Sequence, residues 1–189
     1  LRLAAIDIGS NAARLLIQDV EIDPQGRPEF VKLTLVRVPL RLGFDVFDTG
    51  RISDQRKEMM INTMKAYKLL IDVYEVAHYV TAATSAMRDA SNAGEIVDEV
   101  RQQTGMEIKV ISGADEASYI YENHVAENMS NQASYLYIDV GGGSTELTFF
   151  SDGKLIAKES FNIGTIRLLK NQVREANWDE MKTFIRERT

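Results

Sequence analysis

Two short stretches of this chain carry the same pattern at a fixed separation. Ala5-Ile6-Asp7-Ile8-Gly9 and Tyr137-Ile138-Asp139-Val140-Gly141 both read apolar, apolar, Asp, apolar, Gly, with Tyr137 counted as apolar, and 139 − 7 = 132 residues separate them. Each is a strand pattern that runs into an acid and a glycine turn, and each is followed by more strand. A repeated supersecondary unit of this kind points to two related lobes built on one plan.

The elements around each copy support that reading. Leu3 to Ile8 and Leu15 to Ile22, with Gly9-Ser10-Asn11 between them, read as a hairpin, and the turn Asp23-Pro24-Gln25-Gly26 leads to a β-rich stretch from Phe30 to Leu42. Ser53 is a good N-cap for a long helix in which Met60, Met64, Tyr67, Ile71 and Tyr74 recur on one apolar face. This stripe is core, not a cofactor box. A buried strand at Tyr79 to Ala83, a helix at Ala93 to Gln103 ending at Gly105, a strand at Ile108 to Ile111 and a helix from Ala114 to Met129 complete a first lobe, residues 1–130, of order βββαβαβ plus a helix. The plan then restarts in residues 131–189: a strand at Ser134 to Val140, a turn at Gly141 to Ser144, a strand at Thr145 to Phe150, the turn Asp152-Gly153 and a strand at Lys154 to Phe161. The second lobe is expected to be incomplete, because the chain stops inside a charged helical pattern at Trp178 to Arg188 and does not begin with Met.

Composition narrows the chemistry. With 189 residues, 44% of them apolar, the chain can bury a real core. No run approaches the eighteen or so apolar residues of a membrane span, so a cytoplasmic location without membrane association is expected. The absence of cysteine excludes disulfides, thiolate metal sites and a Cys nucleophile, and two histidines favour hard cations such as magnesium over zinc. A net charge of −6 argues against a nucleic-acid partner. A polyanionic substrate would need a local basic patch within this acidic protein, which the linear sequence does not display.

The segment Asp139-Val140-Gly141-Gly142-Gly143-Ser144-Thr145-Glu146 carries the chemistry. Three glycines remove every Cβ from the turn, so backbone N–H groups can converge on a phosphate oxygen while Ser144 and Thr145 add hydroxyls. Asp139 and Glu146 would repel a bare anion unless a cation such as Mg²⁺ lies between. A glycine-rich hairpin with two solvated acids would have the same letters. It is neither a P-loop nor a dinucleotide fingerprint, since no Gly-Lys-Ser/Thr follows and a strand, not a helix, comes next. Gly9-Ser10-Asn11 alone suits a plain turn, but in the repeat it is expected to form the opposite wall of a cleft.

This paired plan resembles the actin-like ATPase superfamily (α/β, ribonuclease H-like fold, duplicated βββαβαβ lobes, the second truncated), and at finer grain the Ppx/GppA exopolyphosphatase family. The resemblance runs through Asp7 to Asn11 with Arg14-Leu15, Arg41-Leu42-Gly43, Ala83 to Asn92, Ile111 to Ala117, Asp139 to Glu146, and Gly164-Thr165-Ile166-Arg167-Leu168. It implies a Mg²⁺-dependent phosphohydrolase acting on inorganic polyphosphate or guanosine pentaphosphate, often homodimeric. By that resemblance Glu116 is the base that activates water and Arg88 clamps phosphate; Ser10, Asn11 and the Gly141, Gly142, Gly143, Ser144, Thr145 loop hold successive phosphates, and Asp139 and Glu146 hold the metal. As residues alone, Glu116 is equally a surface acid complementing a helix dipole, and Arg88 a helix-surface ion-pair partner.

Phe44 departs from the family pattern, which often has an acid directly after Arg-Leu-Gly; here Asp45 stands one place later. His78 and His124 match no family position and are expected to be packed or exposed, not ligands. A half-walled cleft is expected to leave this chain alone weakly active or inactive. Two other functions share the repeat: an actin-like small-molecule kinase, and a non-hydrolytic regulator that binds guanosine tetraphosphate or pentaphosphate.

Overall fold

The computed structural model describes residues 1–120, 133–152 and 154–188. They divide into two compact units, Leu1–Val110 and Ile111–Thr189.

The first unit is a five-stranded sheet in the order β3-β2-β1-β4-β5. Its strands are β1 (Arg2–Ile8), β2 (Ala13–Ile22), β3 (Pro28–Val38), β4 (His78–Ala83) and β5 (Lys109–Val110). β1, β2 and β3 form an antiparallel meander, and β4 and β5 add in parallel beside β1. Period-two alternation turns Ala4, Ile6, Ile8, Leu15 and Ile17 to one face, where all are buried. Each fully buried Leu or Ile there contributes about 1.5–3 kcal/mol of transfer free energy.

Four helices accompany the sheet: α1 (Leu42–Thr49), α2 (Asp54–Val73), α3 (Ser85–Asp89) and α4 (Ala93–Thr104). Ser53 caps α2 by accepting from the Arg56 N–H, and Met60, Met64, Tyr67 and Ile71 are buried along one stripe, as the spacing predicts. Gly105, at φ 71°, ends α4. The strand read from Phe30 to Leu42 ends instead at Val38, because Pro39 has no N–H for the ladder. Arg41 then turns through φ 56° to start α1.

Tyr67 joins α2 to two strands. Its hydroxyl reaches Ala13 O at 3.0 Å and Val36 O at 3.3 Å. Burial pushes the phenol up to about 12. Its protonated form therefore stabilises the fold below the unfolded phenol's pKa near 10, and this contribution is lost as pH rises from there toward 12. Tyr67→Phe is expected to lower the unfolding free energy by about 1–3 kcal/mol in urea titrations, through loss of the single hydroxyl proton that the two carbonyls share. An unchanged midpoint would show that these carbonyls need no such donor.

The second unit is an antiparallel sheet in the order β6-β7-β8, made of β6 (Ser134–Val140), β7 (Thr145–Ser151) and β8 (Lys154–Phe161). α5 (Gly113–Ile120), α6 (Thr165–Leu169) and α7 (Glu175–Arg188) complete it. β7 is central and buried almost throughout. Leu147, Phe161 and Ile163 form a core closed by Val173, Met181, Phe184 and Ile185, with Phe161 and Phe184 edge to face at 5.5 Å between ring centres.

α5 covers the other face. Lys158 of β8 donates to Ala114 O at 3.3 Å and bonds the Ser118 hydroxyl. Lys158 stands opposite Thr148 in the register, so α5 lies over the face that also carries Glu146, two residues along β7. This helix thus groups with the second sheet, although the sequence pattern draws the lobe boundary at 130/131. The remainder of the helix read from Ala114 to Met129, and His124 with it, lies outside the described residues. Among the described residues no helix is long and apolar enough to cross a membrane.

Candidate functional site

The glycine turn is held in shape by the segment leading from β8 into α6. The N–H groups of Thr165 and Ile166 donate to Gly141 O at 3.0 Å and Gly142 O at 2.8 Å, and Arg167 Nε donates to Gly143 O at 2.6 Å. Three successive carbonyls are thereby drawn toward α6. Among the described residues no peptide bond is cis, and in a trans peptide the N–H points opposite to the carbonyl before it. The N–H groups of Gly142, Gly143 and Ser144 therefore face together away from α6, the arrangement of an anion-binding nest. The close approach depends on Gly164, where a Cβ would lie 2.5 Å from Gly142 C and O and from Gly143 C.

The first turn has the same construction. Gly9 N–H donates to Ala12 O at 3.0 Å and Gly141 N–H to Ser144 O at 2.8 Å, a pair of bonds displaced by 141 − 9 = 144 − 12 = 132 residues. Gly43 N–H and Arg41 N–H, from the start of α1, donate to Ser10 O and Asn11 O, each at 2.8 Å. The amides of Asn11 and Ala12 accordingly face away from α1. Gly43 lies against Ser10, where its Cβ would come within 3.1 Å, just as Gly164 lies against Gly142 at the equivalent repeat position. The duplication is thus present in the hydrogen bonds as well as in the letters.

Side chains in the turns divide by exposure. Ser10 is 3% exposed, and its hydroxyl is bonded to that of Ser85 at 2.8 Å. Thr145 donates to Ile163 O at 2.6 Å and is buried, as is Ser144. Asn11 is exposed. The hydroxyls of Ser10 and Thr145 thus brace the turns, and the amides are what the turns present. Arg88 is half-buried on α3, the short helix whose first residue, Ser85, holds Ser10; the first unit brings Ser10, Asn11 and Arg88 into one neighbourhood.

Asp139 and Glu146 are directly opposite in the β6–β7 register and share a face. The equivalent pair in the first unit is Asp7 and Arg14, since 146 − 14 = 132, and there Arg14 bonds Asp7 at 3.1 Å. One repeat neutralises its acid and the other sets a second acid beside it. Cross-strand like charges are unfavourable unless something offsets them. Glu146, only 2% exposed, accepts from the Ser160 hydroxyl at 2.7 Å, while Asp139 is exposed.

Glu116 lies in the first turn of α5, over the same sheet face. Its N–H donates to Ser112 O at 3.0 Å. Ser112 and Asp115 cap the helix reciprocally: Asp115 N–H donates to Ser112 Oγ at 3.1 Å, and the Asp115 carboxylate accepts from Ser112 N–H. The second unit therefore holds Glu116, Asp139, Glu146 and the glycine turn.

Other residues of the motif blocks prove structural. Burial would raise the Asp45 carboxyl, but hydrogen bonds from Ser53 and Arg56 outweigh it and hold the group below the usual carboxylate range. Asn92 exchanges two hydrogen bonds with the Ile52 backbone. His78 is exposed. Gly164, Arg167 and Ser160 support the site although the sequence assigns them no role; only the glycine, inside the Gly164 to Leu168 block, gives any signal of close packing.

Paired meanders with matching turns define a protein of the actin-like ATPase fold class. The Ppx/GppA phosphatase family matches residues 21–188, and the chain belongs to that family. A bifunctional 3-dehydroquinate synthase/phosphatase from Fusobacterium nucleatum is 34% identical over 173 residues, covering 87% of this chain and 25% of the relative. Exopolyphosphatase 2 of Mycobacterium tuberculosis is 32% identical over 172 residues, covering 88% of this chain and 53% of that protein. An exopolyphosphatase structure from Cytophaga hutchinsonii superposes with a TM-score of 0.79 at 28% identity, over 100% of this chain and 60% of that one. A Ppx/GppA family member from Aquifex aeolicus gives 0.74 at 31% identity, over 99% and 61%. The chain thus spans about half the length of the curated exopolyphosphatases it matches.

Proposed function

We propose that this chain forms the phosphate-gripping part of a phosphohydrolase that releases terminal phosphate from inorganic polyphosphate. The observation that carries this reading is the inward commitment of three successive carbonyls at Gly141, Gly142 and Gly143, which leaves three adjacent amides for one anion. The exopolyphosphatases among its relatives support the substrate class. Guanosine pentaphosphate, which likewise ends in a phosphoanhydride, is the second proposed substrate.

The residues fit a magnesium ion. Asp139 and Glu146 supply two oxygen donors on one face, where the other repeat has an acid and a cation. Among the described residues no cluster of three or more acids or histidines could cage a metal. Mg²⁺ takes one or two carboxylates and fills its other positions with water and phosphate, so a pair of acids is enough to hold it. Bound there, it would neutralise charge on the phosphoryl oxygens.

The remaining chemistry belongs to the chain. Glu116 orients water for in-line attack and takes its proton. The amides at Gly142, Gly143 and Ser144 stabilise the equatorial oxygens as charge develops, and in the first unit Arg88 binds phosphate. No covalent intermediate is required.

The test is phosphate release from long-chain polyphosphate and guanosine pentaphosphate, side by side, by a protein of its relatives' length that carries this chain. Release from polyphosphate is expected, and neither substrate being hydrolysed would end the proposal. Transfer to a sugar or carboxylate acceptor instead of water would assign it to the kinases. Glu146→Gln is expected to raise the magnesium concentration needed for half-maximal rate at least about tenfold, as for loss of a ligand or its support. An unchanged magnesium titration would remove Glu146 from the metal site.

A further inference from the structure

The acidic sequence hides a basic row that only the sheet assembles. In the first unit Arg37 stands opposite Arg14, Arg14 opposite Asp7, Asp7 opposite Ala82, and Ala82 opposite Lys109. Residues directly opposite in a register share a face, so one line crosses all five strands and carries three cations and one acid. Arg37, Arg14 and Lys109 are all exposed. Arg14 shares its charge with Asp7, whereas Arg37 and Lys109 have no ion pair among the described residues. Arg41, also exposed, is held at the same end of the sheet by its N–H bond to Asn11 O.

Placing Arg37 directly beside Arg14 costs stability, because like charges opposed across strands repel. A polyanion laid along the row would reverse the sign of that interaction. Four strand spacings of about 4.8 Å separate Arg37 from Lys109, roughly 19 Å in all. One phosphate ion cannot reach both ends. A linear chain of phosphoryl groups can.

We infer that the row Arg37–Arg14–Lys109 is an accessory subsite for the body of a long polyphosphate chain, separate from the amides that hold individual phosphates. It rests on the polyphosphate reading above and adds selection by chain length to it. Removing Arg37 and Lys109 leaves the Arg14–Asp7 pair intact and touches no buried group.

The experiment titrates the 189-residue chain and its Arg37→Gln/Lys109→Gln variant with long-chain polyphosphate, tripolyphosphate and single-stranded poly-uridylate, at two salt concentrations. Each lost cation is expected to weaken long-chain binding about fivefold at low salt, so the double variant should lose roughly 25-fold and show a flatter salt dependence. Tripolyphosphate affinity should change less than about twofold, since the amide nest does not include these residues. Equal long-chain affinity in the two proteins, or a parallel loss for tripolyphosphate, overturns the subsite. Poly-uridylate binding the parent chain as tightly as polyphosphate, with the same loss in the variant, reassigns the row to nucleic acid and overturns it too. Failure of the parent chain to bind any phosphate compound would instead remove the polyphosphate reading itself.

Discussion

Gly164→Ala is expected to lower the unfolding free energy of the second unit by about 3 kcal/mol and to abolish anion binding at the glycine turn, although it adds one methyl group. That methyl would sit 2.5 Å from three backbone atoms of Gly142 and Gly143, and no side-chain rotation can relieve it. Either α6 withdraws, breaking the bonds from Thr165, Ile166 and Arg167, or the turn itself shifts. Overpacking of this kind costs about 1–3 kcal/mol where side chains can yield, and backbone yields less. Trp178, the single tryptophan, lies on α7 of the same unit and reports its unfolding in urea. A variant that unfolds at the parent's urea midpoint and still binds tripolyphosphate would show that the close approach of α6 is dispensable.

Glu116→Gln should act on rate and spare the fold. The cap of α5 is made by Ser112 and Asp115, and an amide of the same shape disturbs neither. In a protein of its relatives' length the substitution is expected to lower kcat by about 10²- to 10⁴-fold, the usual contribution of a positioned base, while polyphosphate still binds. Steady-state phosphate release measures the first effect and equilibrium titration the second. Turnover within a few-fold of the parent would take Glu116 out of the reaction.

Much of the architecture is readable in the chain because strands and long helices leave periodic patterns. The stripe from Met60 to Ile71 and the alternation in β1 and β2 come directly from burial of one face. Three short helices, α1, α3 and α6, leave no such pattern, since five to eight residues span too few turns to show a period. The apolar run before Arg41 resembles continued strand, and only Pro39 marks the stop. At the site, Asp139, Glu146 and the glycines are visible as letters, but the Ser10–Ser85 bond, the Glu146–Ser160 bond and the basic row depend on residues far apart in sequence. The contrast between Arg14 and Glu146 lies in plain view 132 positions apart, yet it acquires meaning only when the registers place each beside its aspartate.

A peptide copied from Asp139 to Glu146 would reproduce the whole glycine motif and none of its rigidity. The locks on its carbonyls come from Thr165, Ile166 and Arg167, some twenty residues downstream, and the room for them comes from Gly164. Transplanting this turn geometry into another scaffold would therefore require carrying the three strands and the short helix as one cassette. A search by motif letters alone would also gather hairpins whose amides point wherever the chain happens to leave them.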